Sequence, residues 1–358
     1  MSKAIHFGAG KIGRGFIGAV LNEAGYEVTF ADVNQEIIDL INKEKGYAVH
    51  IADQNVYKKE IVGVSAVNSA SEDLLHLIAE ADLITTAVSM KVIPLIAPAI
   101  ASGLNLRYRS CNTSPLNIIC CENGIRATST LKGHVMERLD AEVIEWMKGM
   151  IGFADSSVDR NQLVGSIMHV PGMNLTDNLD ACVEKKLFTL NTGHCTTAFL
   201  GMMKGYTYIH EAITDPDIQA IARRVMHQSG AALIKKFGID PDCHKEYVDI
   251  IVKRFSNHHL KDLVTRVGHD PVRKLGPNLY FAYPMKMAME YGLPYDSIAL
   301  AAAAALRCNN PEDPQSVQIR KMVAESGAAE TFAEISGIGD ESAVNAVAEA
   351  YGKLLITL

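Results

Sequence analysis

Six residues close to the start of the chain, Gly8-Ala9-Gly10-Lys11-Ile12-Gly13, restrict the fold more than any other stretch. The apolar run Ala4–Phe7 leads into them, and Phe16, Ile17, Val20 and Leu21 follow at helical spacing up to Gly25, so the segment reads as strand, glycine turn and helix. Each glycine has its own task in such a unit. Gly8 permits the tight turn, Gly10 lets a pyrophosphate approach the backbone, and Gly13 lets helix and strand pack closely. The helix N-terminus then faces the phosphates. Glu27–Ala31 gives a second strand, and Asp32 stands at its end, 19 positions after Gly13, where a carboxylate takes both ribose hydroxyls of an adenosine. The predicted cofactor is therefore NAD rather than NADP. Its expected contacts are Phe7, Gly8, Ala9, Gly10, Lys11, Ile12, Gly13, Arg14 and Asp32, with Thr86 from a later strand.

That later strand lies in Asp82–Val88, and Asn117–Asn123 is another apolar run of strand length; a helical stretch near Ile93–Ala101 separates them, as in a parallel sheet with crossover helices. Ligands bind outside the carboxyl ends of such strands, which places Thr86 and Asn123 near them; for Asn123 a helix-capping turn residue is the plainer alternative. Beyond His194 the apolar spacing is helical throughout, over Ile218–Lys236, Lys245–Arg254, Ile298–Cys308 and Val317–Ala324. The length of 358 residues exceeds one ordinary core. The predicted class is α/β: an N-terminal Rossmann dinucleotide-binding domain over 1–185 and a mostly α-helical C-terminal domain over 186–358.

A formal charge of −7 argues against nucleic acid as a partner, because phosphate backbones are bound by clustered Lys and Arg. Leu83–Leu104 is the most membrane-like window, yet Lys91, Pro94 and Pro98 interrupt it, so no membrane partner is expected. Seven cysteines, an odd number without paired spacing, fit a reducing compartment and no metal site. Met1 leads straight into a strand-like run without a signal-peptide pattern, and a cytoplasmic location is expected.

Lys185–His194 reads as the reaction centre. On an α-helix Lys186, Asn191 and His194 project within an arc of about 140°. Leu179, Cys182, Val183, Leu187 and Leu190 give the apolar face, and Gly193 is expected to loosen the helix near the reactive group. A solvated Lys pair beside a core His is the plainer alternative. Arg266, Arg273 and Lys274 form the densest basic loop in the helical part, which reads either as a solvated loop or as an anion site.

Together these stretches resemble the polyol-specific long-chain dehydrogenases over nearly the full length. The residues that carry the resemblance are His6–Gly18, Thr29–Asn34, Ser114–Ile119 with Cys121–Asn123, Leu131–Met136, Val158-Asp159-Arg160 and Thr176-Asp177-Asn178. The family's signature, a Lys followed five residues later by Asn and eight later by His, is met by Lys186, Asn191 and His194. The resemblance implies metal-free hydride transfer between NAD and a small sugar or polyol phosphate, interconverting mannitol 1-phosphate and fructose 6-phosphate. Lys186 would be the general base, Asn123 and Asn191 would hold the reacting oxygen, and His194 would orient substrate and base. Asp159 matches a family position close to the substrate. Tagaturonate, fructuronate and unphosphorylated mannitol are the alternative substrates, and an NAD-binding regulator with impaired catalysis is the alternative of another class. Monomer and dimer both stay open. The chain departs from its relatives in three places: a short segment between Arg160 and Pro171, Leu279-Tyr280 in place of Asp-Arg, and Ser89-Met90 in place of Gly-Pro.

Overall fold

The computed structural model describes residues 2–52, 56–122, 124, 126–159, 162–164, 173–174, 176 and 178–357, with the backbone alone at 51–52, 56–57, 157–159, 162–164, 173–174 and 355–357. It divides into two units, Met1–Cys182 and Val183–Leu358.

The first unit is built on a parallel sheet of six strands. In chain order these are β1 (Lys3–Phe7), β2 (Glu27–Asp32), β3 (Ser65–Asn68), β4 (Leu83–Thr86), β5 (Leu116–Cys120) and β6 (Ile151–Phe153). Their spatial order is β3-β2-β1-β4-β5-β6, every neighbouring pair is parallel, and the order reverses between β1 and β4. Ligand crevices open at such a reversal, outside the carboxyl ends of the strands. The register lines up Phe7 with Ala31 and Thr86, and Thr86 with Cys120, along that edge. β4 and β5 are buried along their whole length, which is why Leu-Ile-Thr-Thr and Leu-Asn-Ile-Ile-Cys carry no charge. The window Leu83–Leu104 is indeed a buried strand and then a helix, Ile93–Arg109. Near its end Arg107 is fully buried, its guanidinium donating to the carbonyls of Ala79 at 2.7 Å, Ala81 at 3.0 Å and Ser114 at 2.6 Å.

The antiparallel hairpin Gly46–Ala52 and Val56–Val62 had no clear sequence signal, since Lys58-Lys59-Glu60 interrupts its apolar alternation. It braces the glycine turn, because the Tyr47 hydroxyl donates to the Arg14 carbonyl at 2.8 Å. A small three-stranded sheet, with Ser157–Asp159 antiparallel to Gln162–Val164 and the latter parallel to Met173–Asn174, closes the unit's sequence.

The second unit is helical. Three of its helices, Pro216–Phe237, Pro241–Phe255 and Pro314–Ser336, start alike, with Asp as the N-cap accepting first-turn N–H groups and Pro immediately inside. Gly238 and Gly337 end two of them in the left-handed conformation that an L-residue resists. The helix Asp296–Leu306 runs through the core with Ala301–Ala305 wholly buried, because methyl side chains let neighbouring helices approach on every side. No helix among the described residues is long and apolar enough to cross a membrane.

Candidate active site

The glycine turn of the first unit has the geometry its spacing demands. Gly8 sits at φ +101°, where a β-carbon would stand 2.8 Å from the Ala87 carbonyl oxygen, and a side chain on Gly13 would overlap the Gly8 carbonyl oxygen. Around Gly10 nothing lies within 4 Å of where a β-carbon would stand, so the backbone is open to a ligand there. Phe7 and Ala9 are buried beneath the turn, and Lys11 and Ile12 are exposed beside it. The helix that follows is wound as a π-helix over Gly13–Ile17, and Gly18 N–H bonds the Gly13 carbonyl. Arg14 lies in that turn with its Nε buried and unpartnered.

Asp32 closes the turn from β2. Its Oδ2 accepts the Ala9 N–H at 2.6 Å and its Oδ1 the Asn34 N–H at 2.9 Å. An ionised carboxylate has about four acceptor directions, so two remain for ribose hydroxyls. Beneath the turn lies His6, which sequence reasoning passed over. Its ring is wholly buried, Nδ1 meets the Thr85 hydroxyl at 2.7 Å, and Nε2 faces Gly13. Burial alone pushes its pKa down to about 3, so the ring is a neutral wedge under the turn. Thr86 donates to both carboxylate oxygens of Glu122, at 2.7 and 2.8 Å. Asn123 lies outside the described residues, and of Asp159 only the strand position, opposite Gln162, is described.

The predicted reaction centre lies on one continuous helical run, Leu179–Lys185, Lys186–Asn191 and Thr192–Met203, which belongs to the second unit from Val183 on. Its middle segment is again a π-helix, and Lys186 and Asn191 are its first and last residues. The wider i→i+5 turn brings the carboxamide closer to the amine, around the axis, than the about 140° of an α-helix. Neighbouring side chains take up the loosened carbonyls. The Thr192 hydroxyl donates to Leu187 at 3.2 Å and Tyr280 at 2.8 Å, and the Ser229 hydroxyl donates to Phe188. Gly193 does not loosen the helix, contrary to expectation: it is buried inside Thr192–Met203, packed so closely on Met226 that a β-carbon would lie 2.5 Å from the sulfur.

His194 is held from two sides. Its ring stacks on Phe255 with centroids 4.6 Å apart, and its Nε2 lies 3.3 Å from Asp262 Oδ2. Burial lowers the imidazole's pKa, while Asp262 acts in the opposite direction. For Asp262 burial opposes the charge, but the hydrogen bonds from His194 and Arg266 outweigh it and hold the carboxyl below its ordinary range. Arg266, from the basic loop, therefore reaches this chain of contacts through Asp262, its Nε donating at 2.7 Å.

That loop is two short helices, Val264–Val267 and Pro271–Leu275. Arg273 is half exposed beside Asp270 at 3.5 Å, and burial raises the pKa of the Tyr280 hydroxyl while Arg273 and Asn191 act in the opposite direction. Lys274 turns inward, only 6% exposed, and its ammonium donates to the His269 carbonyl. Asp262, Phe255 and Tyr280 are neighbours of the predicted site residues that the sequence did not reveal. They lie far along the chain from the residues they touch, and no spacing rule connects them.

Family models match both parts of the chain: the mannitol dehydrogenase Rossmann domain over residues 2–187 and the mannitol dehydrogenase C-terminal domain over residues 178–355. Among solved structures, the chain is similar to Pseudomonas fluorescens mannitol 2-dehydrogenase in ternary complex with NAD and D-mannitol, at TM-score 0.75 and 16% identity, covering 99% of this chain and 92% of that one. It is also similar to a D-sorbitol dehydrogenase in substrate-free form, at TM-score 0.78 and 14% identity, covering 99% and 93%. At such identities the structural likeness speaks for the fold, while the two family models span almost the whole sequence. The chain belongs to the mannitol dehydrogenase family.

Proposed function

We propose that this protein is an NAD-dependent dehydrogenase interconverting D-mannitol 1-phosphate and D-fructose 6-phosphate, a mannitol-1-phosphate 5-dehydrogenase. The observation that supports the phosphate is the tethering of an arginine to a signature residue, Arg266 through Asp262 to His194, with Arg273 a few residues along the same basic loop. A doubly charged phosphate is costly to desolvate alone, and guanidinium groups near the reacting end offset that cost.

NAD suits the first unit because Gly10 is open, Gly13 is closed to any side chain, and Asp32 keeps acceptor capacity for a ribose. When bound, it supplies the acceptor for the hydride. The work of this chain's own residues is proton and charge management. Lys186 takes the substrate hydroxyl proton during oxidation. Asn191 presents amide N–H groups to the oxygen as negative charge develops, the role the resemblance also gives to Asn123. His194 stays oriented by Asp262 and Phe255.

A second reading is favoured by one observation: Arg266 already spends its charge on Asp262, leaving Arg273 as the freer of the two, which suits an unphosphorylated polyol such as the mannitol bound by the Pseudomonas relative. Initial rates of NADH oxidation with fructose 6-phosphate, fructose, tagaturonate and fructuronate separate these readings. Preference for fructose 6-phosphate is expected, and a preference for fructose or a hexuronate would end the sugar-phosphate assignment. Replacing Lys186 by Ala is expected to lower kcat by about 10²–10⁴-fold while NADH binding stays within a few-fold. Turnover close to wild type would remove Lys186 from the mechanism.

A further inference from the structure

Glu122 is a buried carboxylate that neither the family signature nor the proton chemistry uses. It follows β5 by two residues and is 8% exposed. Two donors converge on it: the Thr86 hydroxyl lies between both oxygens, at 2.7 and 2.8 Å, and the Val88 N–H reaches Oε1 at 3.0 Å. Both donors present a hydrogen to the carboxyl, the arrangement an ionised carboxylate accepts. Hydroxyl and amide donors hold a charge in place without cancelling it, and among the described residues no Lys, Arg or His forms an ion pair with Glu122.

Its position gives that charge a use. The segment it ties down, Ala87-Val88, packs on the glycine turn: a β-carbon on Gly8 would stand 2.8 Å from the Ala87 carbonyl oxygen and 3.1 Å from Val88 Cγ1. Asp32 marks the adenosine side on β2, and a dinucleotide laid across the reversal between β1 and β4 must extend its other half over the carboxyl ends of β4 and β5. Thr86 and Glu122 sit at those ends.

We propose that Glu122 is a specificity-determining residue of the dinucleotide site, whose fixed negative charge favours the oxidised cofactor, with its cationic nicotinamide ring, over the neutral reduced form. The inference rests on the nicotinamide dinucleotide reading of this unit. A buried, uncompensated carboxylate gains a counter-charge when the oxidised ring binds and gains none from the reduced ring.

The test is equilibrium binding of NAD+, NADH and ADP-ribose, which lacks the nicotinamide, to the full chain as wild type and as Glu122→Gln. The amide keeps an acceptor oxygen for Thr86 and Val88 while removing the charge. The expected result is a weakening of NAD+ relative to NADH on the order of tenfold, with ADP-ribose unchanged within about twofold. Parallel losses for all three ligands would reduce Glu122 to a structural strut and overturn the proposal, as would an unchanged NAD+ to NADH ratio. Should the Gln variant fail to fold, Glu122→Asp retains the charge and is expected to retain the preference within a few-fold; its disappearance there would overturn the proposal equally. Failure of the wild type to bind any of the three would overturn the cofactor reading itself, an outcome distinct from binding with no charge preference.

Discussion

His194 depends on a residue that its own helix does not contain. Asp262, 68 positions later, faces Nε2 at 3.3 Å, and Phe255 fixes the ring plane by stacking. A carboxylate beside an imidazole fixes its tautomer and orientation, so its effect on turnover passes through the histidine. Asp262→Asn removes the charge that raises the imidazole's pKa and is expected to cost about 10–100-fold in kcat/KM, with the pH dependence displaced to lower pH. Steady-state kinetics between pH 6 and 10, about the span needed to bracket His and Lys titrations, would check this. An unchanged profile with kcat/KM within twofold would leave Asp262 a structural neighbour. Arg266 loses its partner in the same variant, and Arg266→Ala run in parallel separates the two effects.

Two π-helical turns stand at the two places where chemistry is expected, Gly13–Ile17 after the glycine turn and Lys186–Asn191 in the reaction centre. A π turn leaves carbonyls poorly paired, and it persists only where neighbours take them up, as Thr192 and Ser229 do. A third irregular element is the turn after β4. Ser89 holds φ +99°, a region glycine occupies freely and serine does not. Ser89→Gly is therefore expected to stabilise the first unit by about 1 kcal/mol, as strain relief exceeds the added entropy of the unfolded chain. A higher urea midpoint at unchanged slope would show it, and a lower midpoint would mean that the serine side chain makes a compensating contact.

Buried imidazoles in both units tie the stability of the whole molecule to pH. Burial pushes His6 in the first unit down to about 3 and His244 in the second to about 4, from an ordinary value of 6.5. Both native pKa values lie below the unfolded one, so the unfolded chain takes up protons first. Stability is full above pH 6.5, falls as pH drops through it, and stops falling from this source below about 3 to 4. Each group contributes a slope of up to about 1.4 kcal/mol per pH unit, the value for one proton. Urea midpoints at pH 8 and pH 5 would test this before most carboxylates titrate, and equal midpoints would refute it. His244→Asn should flatten the fall for the second unit, where the imidazole Nε2 meets the Thr189 hydroxyl of the reaction-centre turn at 3.1 Å.

What the sequence by itself determined was carried by local rules. Glycines at Gly8, Gly10 and Gly13 before a helical repeat, and an acid after the next strand, have one good solution, because close backbone approach and a ribose-binding carboxylate are short-range demands. Unbroken apolar runs marked the central strands, and Asp-Pro pairs started long helices, for reasons contained within a few residues. The spacing of Lys186, Asn191 and His194 was equally local. Only the tertiary structure decided which neighbours those residues have. Nothing in the spacing joins Asp262 to His194, Tyr280 to Thr192 or Glu122 to Thr86, and nothing distinguishes the inward Lys274 from the outward Arg273 one position earlier. Gly193 stayed helical for the same reason: propensity charges a glycine about 1 kcal/mol, and close packing on Met226, where any side chain would collide, more than offsets it. Contacts between residues far apart in the chain arise from packing the whole core at once, and a window of sequence holds no record of that.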